Sequence, residues 1–351
     1  MSPYIKNLSL NHYPWLKKNS FDAPVIISSR ARIARNVEGY NFPEKADSDM
    51  RSELVDAVFE ALEKLPLRKK VQKTEIDNLS ERAKKILLER KILSVETLFG
   101  LDCGIVFDEK EKFSILLNKE DHIHIQALKP GFQVAKCWQI CEKVEEQLSR
   151  GLKFSFSNDL GYLTSCPVNV GTGLKLSVYV DLTGTVLLEQ MPAIIQATKV
   201  LGYKISGENG EDGDYKGTRF LIASNRTLGV SELDALEQFE QFVKEIVDVE
   251  NQARRKIFAD FPKRLLNHVS RSFGFLKNSW ILSENEAYDH LMVLRTGVLM
   301  GVFEKVDLEM VNDLIICSGD AHFQNVVSEE LLPEEMDSAR ASIFKEKLSF
   351  K

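Results

Sequence analysis

The sequence predicts an α+β protein in which a mixed region, residues 1–258, precedes an all-helical region, residues 259–351. Short β-type apolar runs cluster before about residue 225. From Ser231 onward nearly every segment carries the 3.6-residue apolar period of a helix instead. Neither half contains an internal repeat or a low-complexity stretch.

The elements follow in order. Val25-Ile26-Ile27 reads as a short strand running into a turn that carries Arg30, Arg32 and Arg35. Residues 47–65 form one apolar stripe behind a cap at Asp47 or Ser48, and residues 76–90 repeat the helical pattern. Strands are expected at 104–107, 113–117 and 123–126, separated by charged turns. Pro130-Gly131 opens a helix to about Leu148 that buries Val134, Trp138, Cys141, Val144 and Leu148. Strand-like segments return at 152–156, 174–182, 203–206 and 218–223, with a helix over 185–201. Ser231 with Asp234 fits a cap for a long amphipathic helix over 232–258. Further helices are expected at 261–271, 284–302, 307–316 and 333–348.

Bulk properties narrow the function. The chain has 351 residues, 44% of them hydrophobic, enough for a real core. A net charge of −6 argues against a general nucleic-acid or membrane-surface binder, and no apolar run approaches the ~18 residues of a membrane span. Polar residues are interspersed throughout the first 18, which offer no signal-peptide core. The five cysteines are odd in number and scattered, which reads as reduced cytoplasmic thiols. Cys137 and Cys141 lack a matching Cys/His pair, so they are assigned to core packing and no metal site is expected.

Four stretches carry chemistry. In Ser28-Ser29-Arg30-Ala31-Arg32, extended backbone sends Arg30 and Arg32 to one side. Two guanidinium forks beside Ser28 suit a polyphosphate, because each holds two oxygens and neither loses its charge near neutral pH. The bland alternative is a solvated basic turn. Residues 118–124, Asn-Lys-Glu-Asp-His-Ile-His, crowd titratable groups around one corner. Glu120 and Asp121 are candidates for a cation site or a base, and His122 and His124 for phosphate contacts; a solvated turn is the alternative. Residues 161–175 hold Cys166 extended before Pro167, and Gly171 and Gly173 permit close backbone approach to a ligand. Residues 207–213 form an acidic, glycine-rich loop that suits a cap over a cationic substrate, or a plain surface turn.

Together and in order, residues 28–35, 39–43 (Gly-Tyr-Asn-Phe-Pro), 118–126, 161–175 and 222–229 (Ile-Ala-Ser-Asn-Arg-Thr-Leu-Gly) resemble the phosphagen (guanidino) kinase family. The resemblance is strongest to its bacterial protein arginine kinase branch, the McsB type, and the run Cys-Pro-x-Asn-x-Gly-Thr-Gly is its most specific part. It implies an antiparallel sheet flanked by helices, followed by the helical domain of that branch, with ATP and Mg²⁺ as cofactors. It also implies phosphoryl transfer from ATP to protein arginine. By the same resemblance, Ser28, Arg30 and Arg32 match nucleotide-phosphate ligands, and His124 and Lys175 stand where the family supplies two more. Glu120 matches the catalytic carboxylate, and Glu211 the loop carboxylate that holds the guanidinium. Cys166 matches the active-site cysteine, with Asn169 in the same loop. Implied partners are protein substrates with exposed arginine, a small zinc-binding activator protein, a Clp-type unfoldase, a stress-response repressor and a second copy in a homodimer.

The chain departs from the pattern where the family has arginine. His124, Lys175 and Ser206 stand at three such positions, and Lys119 replaces an acid. Lys175 keeps the charge without the fork, His124 keeps it only when protonated, and Ser206 loses it. In the branch's phosphoarginine-sensing motif, Asp337, Arg340 and Ala341 fit while Met336 replaces an arginine; an amphipathic packing helix is the alternative there. Two readings of different class follow: an active protein arginine kinase, and a catalytically weakened relative acting as an adaptor. A kinase of a free guanidino metabolite is a third, disfavoured by the helical C-terminal region.

Overall fold

The computed structural model describes residues 5, 8, 13–16, 25–66, 71–98, 100, 102–207, 217–303, 306–327 and 331–349. Its first strand, β1 (Ile26–Arg35), runs straight through the arginine segment. The turn expected there is a strand instead, because Ala31 and Ile33 alternate with Arg30 and Arg32 and give one face to the core.

The chain continues through α1 (Ser48–Glu63), β2 (Val71–Glu75), α2 (Glu81–Glu89), α3 (Val95–Leu98), β3 (Gly104–Asp108), β4 (Ser114–Leu117), β5 (Ile123–Pro130) and α4 (Val134–Leu148). After a two-residue ladder of β6 (Phe156–Ser157) with β7 (Gly161–Tyr162) come β8 (Leu174–Asp181), α5 (Thr183–Leu187), α6 (Met191–Val200), β9 (Tyr203–Gly207) and β10 (Arg219–Ser224). The helical region holds α7 (Glu232–Asp260), α8 (Pro262–Asn278), α9 (Glu284–Leu299), α10 (Leu308–Ser318), α11 (Asp320–Val327) and α12 (Pro333–Lys347). Asp47 caps α1 by accepting from Met50 N, and Ser231 caps α7 by accepting from Asp234 N.

Local differences from the expected elements have local causes. Ser80 caps a fresh helix, so residues 76–90 split into a 3₁₀ turn and α2. The helix expected over 185–201 breaks between α5 and α6, where Glu189 adopts a φ of 63°. Residues 152–156 make only an isolated bridge, Val37 to Phe154, outside the β6–β7 ladder. Strand β2 and the short helices α3 and α11 were not among the expected elements.

Eight strands pair antiparallel in the order β2-β3-β4-β5-β1-β8-β10-β9. One face presents Ala31, Ile33, Ile125, Leu176, Val178 and Ile222 to α4 and α7 in a single buried cluster. Cys137 and Cys141 belong to that cluster; their thiols donate to the carbonyls of Ser29 and Ala31, and burial pushes Cys137 up to about 12. The opposite face is divided. One end packs through Tyr179 and Ile27 against Leu291, Leu294 and Phe344 of the helical region, together with Tyr13 and Trp15. Asp181 joins the two regions, accepting from Arg254 and from Thr296 Oγ1. On the same face Ile105, Phe107 and Leu116 pack against α2 and Ala321, and the part left uncovered is polar and holds the candidate site. In α12, Arg340 is fully buried and bonded to Asp320, Asp337 and the Leu282 carbonyl, which accounts for it as a packing residue.

Candidate active site

Strand register builds the polar face. Directly opposed residues of antiparallel strands share a face. Arg30 lies between Leu128 and Ser177, and Arg32 lies between Gln126 and Lys175. Arg30 Nε donates to Ser177 Oγ at 3.3 Å. Arg35 has the opposite parity and serves the core. Its Nε donates to Glu145 Oε1 at 2.6 Å, its Nη1 donates to the Ala34 and Thr172 carbonyls, and its guanidinium lies 3.4 Å from the centre of the Tyr162 ring.

Glu120 is exposed in the turn between β4 and β5. Asn118 opens that turn with a φ of 55° and anchors it, donating to the Arg51 and Asp102 carbonyls at 2.8 Å each. The next residue, Asp121, is fully buried. Asp121 Oδ1 accepts from Asn36 Nδ2 at 2.8 Å and from Ser165 N at 2.6 Å, and its Oδ2 accepts from Asn169 Nδ2 at 3.3 Å. One carboxylate thus ties the Glu120 turn, the end of β1 and the Cys166 loop together. Asn36, which the sequence reading missed, completes the tie by accepting from His122 N at 2.9 Å. Its signal in the sequence was a lone amide directly after the arginine segment.

Cys166 is half-buried with the extended backbone its proline requires, and its carbonyl accepts from Thr164 Oγ1 and Asn169 N. The electrostatics bring the pieces together. Burial first, then Arg32, lowers the pKa of Lys175, with Lys204 acting in the same sense; Glu120 and Cys166 oppose the shift. Arg32, Lys175, Lys204, Glu120 and Cys166 therefore share one electrostatic neighbourhood.

Several candidates take other parts. His124 is no cation here: burial, then Arg32, Lys119 and Lys175, hold its pKa well below the ordinary histidine range. Its Nε2 accepts from Asp121 N at 3.3 Å, so it braces the turn from within. His122 accepts from Val37 N and donates to the Asn41 carbonyl, which makes it structural as well. Asn169 is buried and turned to Asp121, and Ser28 is buried opposite Pro130 and Tyr179, one row back from Arg30. Gly171 and Gly173 admit protein backbone rather than a ligand: a Cβ would stand 2.2 Å from the Thr227 carbonyl oxygen and 2.6 Å from that of Ala34. Glu211 lies outside the described residues, as does the acidic loop after Gly207.

A family model described as the C-terminal catalytic domain of ATP:guanido phosphotransferase matches residues 53–253, more than half the chain. The chain belongs to the ATP:guanido phosphotransferase family. Membership makes it an ATP-dependent phosphotransferase. A second model, the protein-arginine kinase McsB C-terminal domain, matches residues 262–351 and places the chain in that branch. A protein-arginine kinase of Halothermothrix orenii is 31% identical over 98% of both chains. One from Brevibacillus brevis is 32% identical over 95% of this chain and 94% of its own. Among solved structures, a lombricine kinase superposes with a TM-score of 0.59 at 23% identity, covering 67% of this chain and 69% of that one. A duplicated taurocyamine kinase from Schistosoma mansoni superposes at 0.61 and 23% identity, covering 78% of this chain and 40% of that one. These two likenesses show the fold, an antiparallel sheet flanked by helices.

Proposed function

We propose that the chain transfers the γ-phosphoryl group of ATP to the guanidinium of arginine side chains in other proteins. The observation that carries this is geometric: Arg32 and Lys175 are paired on the polar face, and Asp121, next to Glu120, holds the Cys166 loop through Ser165 N and Asn169 Nδ2. Arg30, Arg32 and Lys175 are donors without acceptor capacity, which suits phosphate oxygens. Arginine is protonated in water and its nitrogen is a poor nucleophile. Glu120 orients the guanidinium and takes the proton as the N–P bond forms and the bond from phosphorus to the ADP oxygen breaks. In the proposal Glu211 is the second orienting carboxylate and Cys166 adds a third negative contact. Mg²⁺, when bound with the nucleotide, would supply charge neutralisation on the phosphates.

The proposal includes the division at residue 258 between catalytic and helical domains. It also includes, by family resemblance, a cytoplasmic setting in which marked proteins pass to a Clp-type unfoldase during stress, with a zinc-binding activator and a homodimer. Among the described residues no helix is long and apolar enough to cross a membrane.

The test is incubation with radiolabelled ATP, Mg²⁺ and an arginine-rich protein, with and without activator. Acid-labile label that disappears in Glu120→Ala is the expected result. A folded protein that binds ATP yet transfers no label in any condition would establish the adaptor reading instead.

A further inference from the structure

One row across the sheet reads Leu128, Arg30, Ser177, Ala223, Lys204. Directly opposed residues share a face, so all five belong to the polar side. Three strand spacings put the Cα atoms of Arg30 and Lys204 about 14 Å apart. Only Ser177 and Ala223, two small side chains, stand between them. The next row carries Arg32 opposite Lys175. This juxtaposition makes a trough with a low floor and cations on both sides. Lys204 is exposed on β9, whereas Ser206, two residues on and on the same face, is buried and uncharged. Lys204 is also close enough to Lys175 to act on its protonation.

We propose that Lys204 is a phosphate-binding residue of the nucleotide site, facing Arg30 across the floor of Ser177 and Ala223, with Lys175 flanking Arg32 in the next row. The inference rests on the ATP reading above and adds to it the residue that closes the trough from the β9 side. A polyphosphate carries charge along its whole length, so cations at one side alone leave part of it unmatched. Lysine suits the far wall because its ammonium is a compact charge on a flexible four-carbon stem, able to follow phosphates across a floor of small side chains. Catalysis of phosphoryl transfer depends on positioning and charge neutralisation, so this contact bears on transfer as well as on binding.

The experiment is titration calorimetry of the full chain with MgATP, comparing Lys204→Ala, Lys204→Arg and a control that removes an equal charge from the exposed end of α6, Lys199→Ala. Thermal melts of all variants verify folding; Lys204 is exposed, so they should match the parent. The expected result is ATP affinity at least about tenfold weaker in Lys204→Ala, the loss typical of a charge-assisted hydrogen bond. Lys204→Arg should stay within about threefold of the parent, and Lys199→Ala should be unchanged. ATP binding by the parent with no change in Lys204→Ala overturns the inference and leaves the ATP reading standing. Equal weakening in Lys204→Ala and Lys199→Ala also overturns it, because net charge would then explain both. A folded parent that binds no ATP overturns the ATP reading itself, and the inference with it.

Discussion

Arg32 and Arg35 stand three residues apart on one strand and face opposite ways. Arg35 is fully buried, held by Glu145, two carbonyls and the Tyr162 ring, and it welds the Gly171–Gly173 loop to α4 and β1. Arg32 is half-buried beside Lys175 on the polar face. The same guanidinium serves architecture on one face and ligand chemistry on the other. The difference lies in what the helices cover: α4 and α7 close over one side, while on the other the helical region covers the Tyr179 end and, with α2, the β3–β4 part, leaving the rest open. Charge left in that open part is available for chemistry.

The comparison breaks most sharply at Glu120. Replacing it with alanine should lower phosphoryl transfer about 10²- to 10⁴-fold, the usual worth of a positioned acid–base group, while ATP affinity changes little. Transfer kept within tenfold would mean that the polar face is not where the reaction occurs. On the other side of the sheet, Arg35→Met should cost about 3–5 kcal/mol of stability, because it strands Glu145 without its buried partner. Urea unfolding measures this, and a loss under 1 kcal/mol would deny Arg35 its structural part. Arg32→Ala should show the mirror image. Calorimetry should find ATP binding weaker by about 1.5–3 kcal/mol, with the unfolding free energy within about 0.5 kcal/mol of the parent.

The smallest effect concerns pH. Burial lowers the pKa of His122, and burial with Arg32, Lys119 and Lys175 lowers that of His124 further. Unfolding returns both toward about 6.5, so below that pH the unfolded chain binds more protons than the folded one. Stability contributed by these histidines is therefore complete above about pH 6.5 and falls as pH drops below it, by up to about 1.4 kcal/mol per unit for each. His124→Gln should flatten that slope in urea titrations between pH 5 and 6.5. An unchanged slope would mean that His124 is protonated in the folded site, which would return it to the list of phosphate cations.

Much of the site was legible because its residues sit in short contiguous runs. The same-side placement of Arg30 and Arg32 needed only the two-residue period of extended backbone. Asp121 was different. Its neighbours in sequence, Glu120 and His122, suggested a second working acid, yet its three bonding partners come from residues 36, 165 and 169. No local pattern announces a carboxylate that will be buried. Lys204 was silent for a related reason: Tyr203–Gly207 reads as an unremarkable strand until its register with β10 aligns Lys204 with Arg30. The two glycines of the Gly-Thr-Gly run were correctly marked as close-approach positions, but what approaches is the protein's own backbone.

The sequence by itself determined the α+β region followed by helices, the family resemblance, and the same-side placement of Arg30 and Arg32. It does so because backbone period and side-chain chemistry are local properties. Only the tertiary structure decided which side of that strand is covered, that Asp121, His122 and His124 brace the turn from within, and that Lys204 faces Arg30 across the sheet. Those outcomes depend on strand order and on where distant helices dock, and burial then sets the charge state and the task of each side chain.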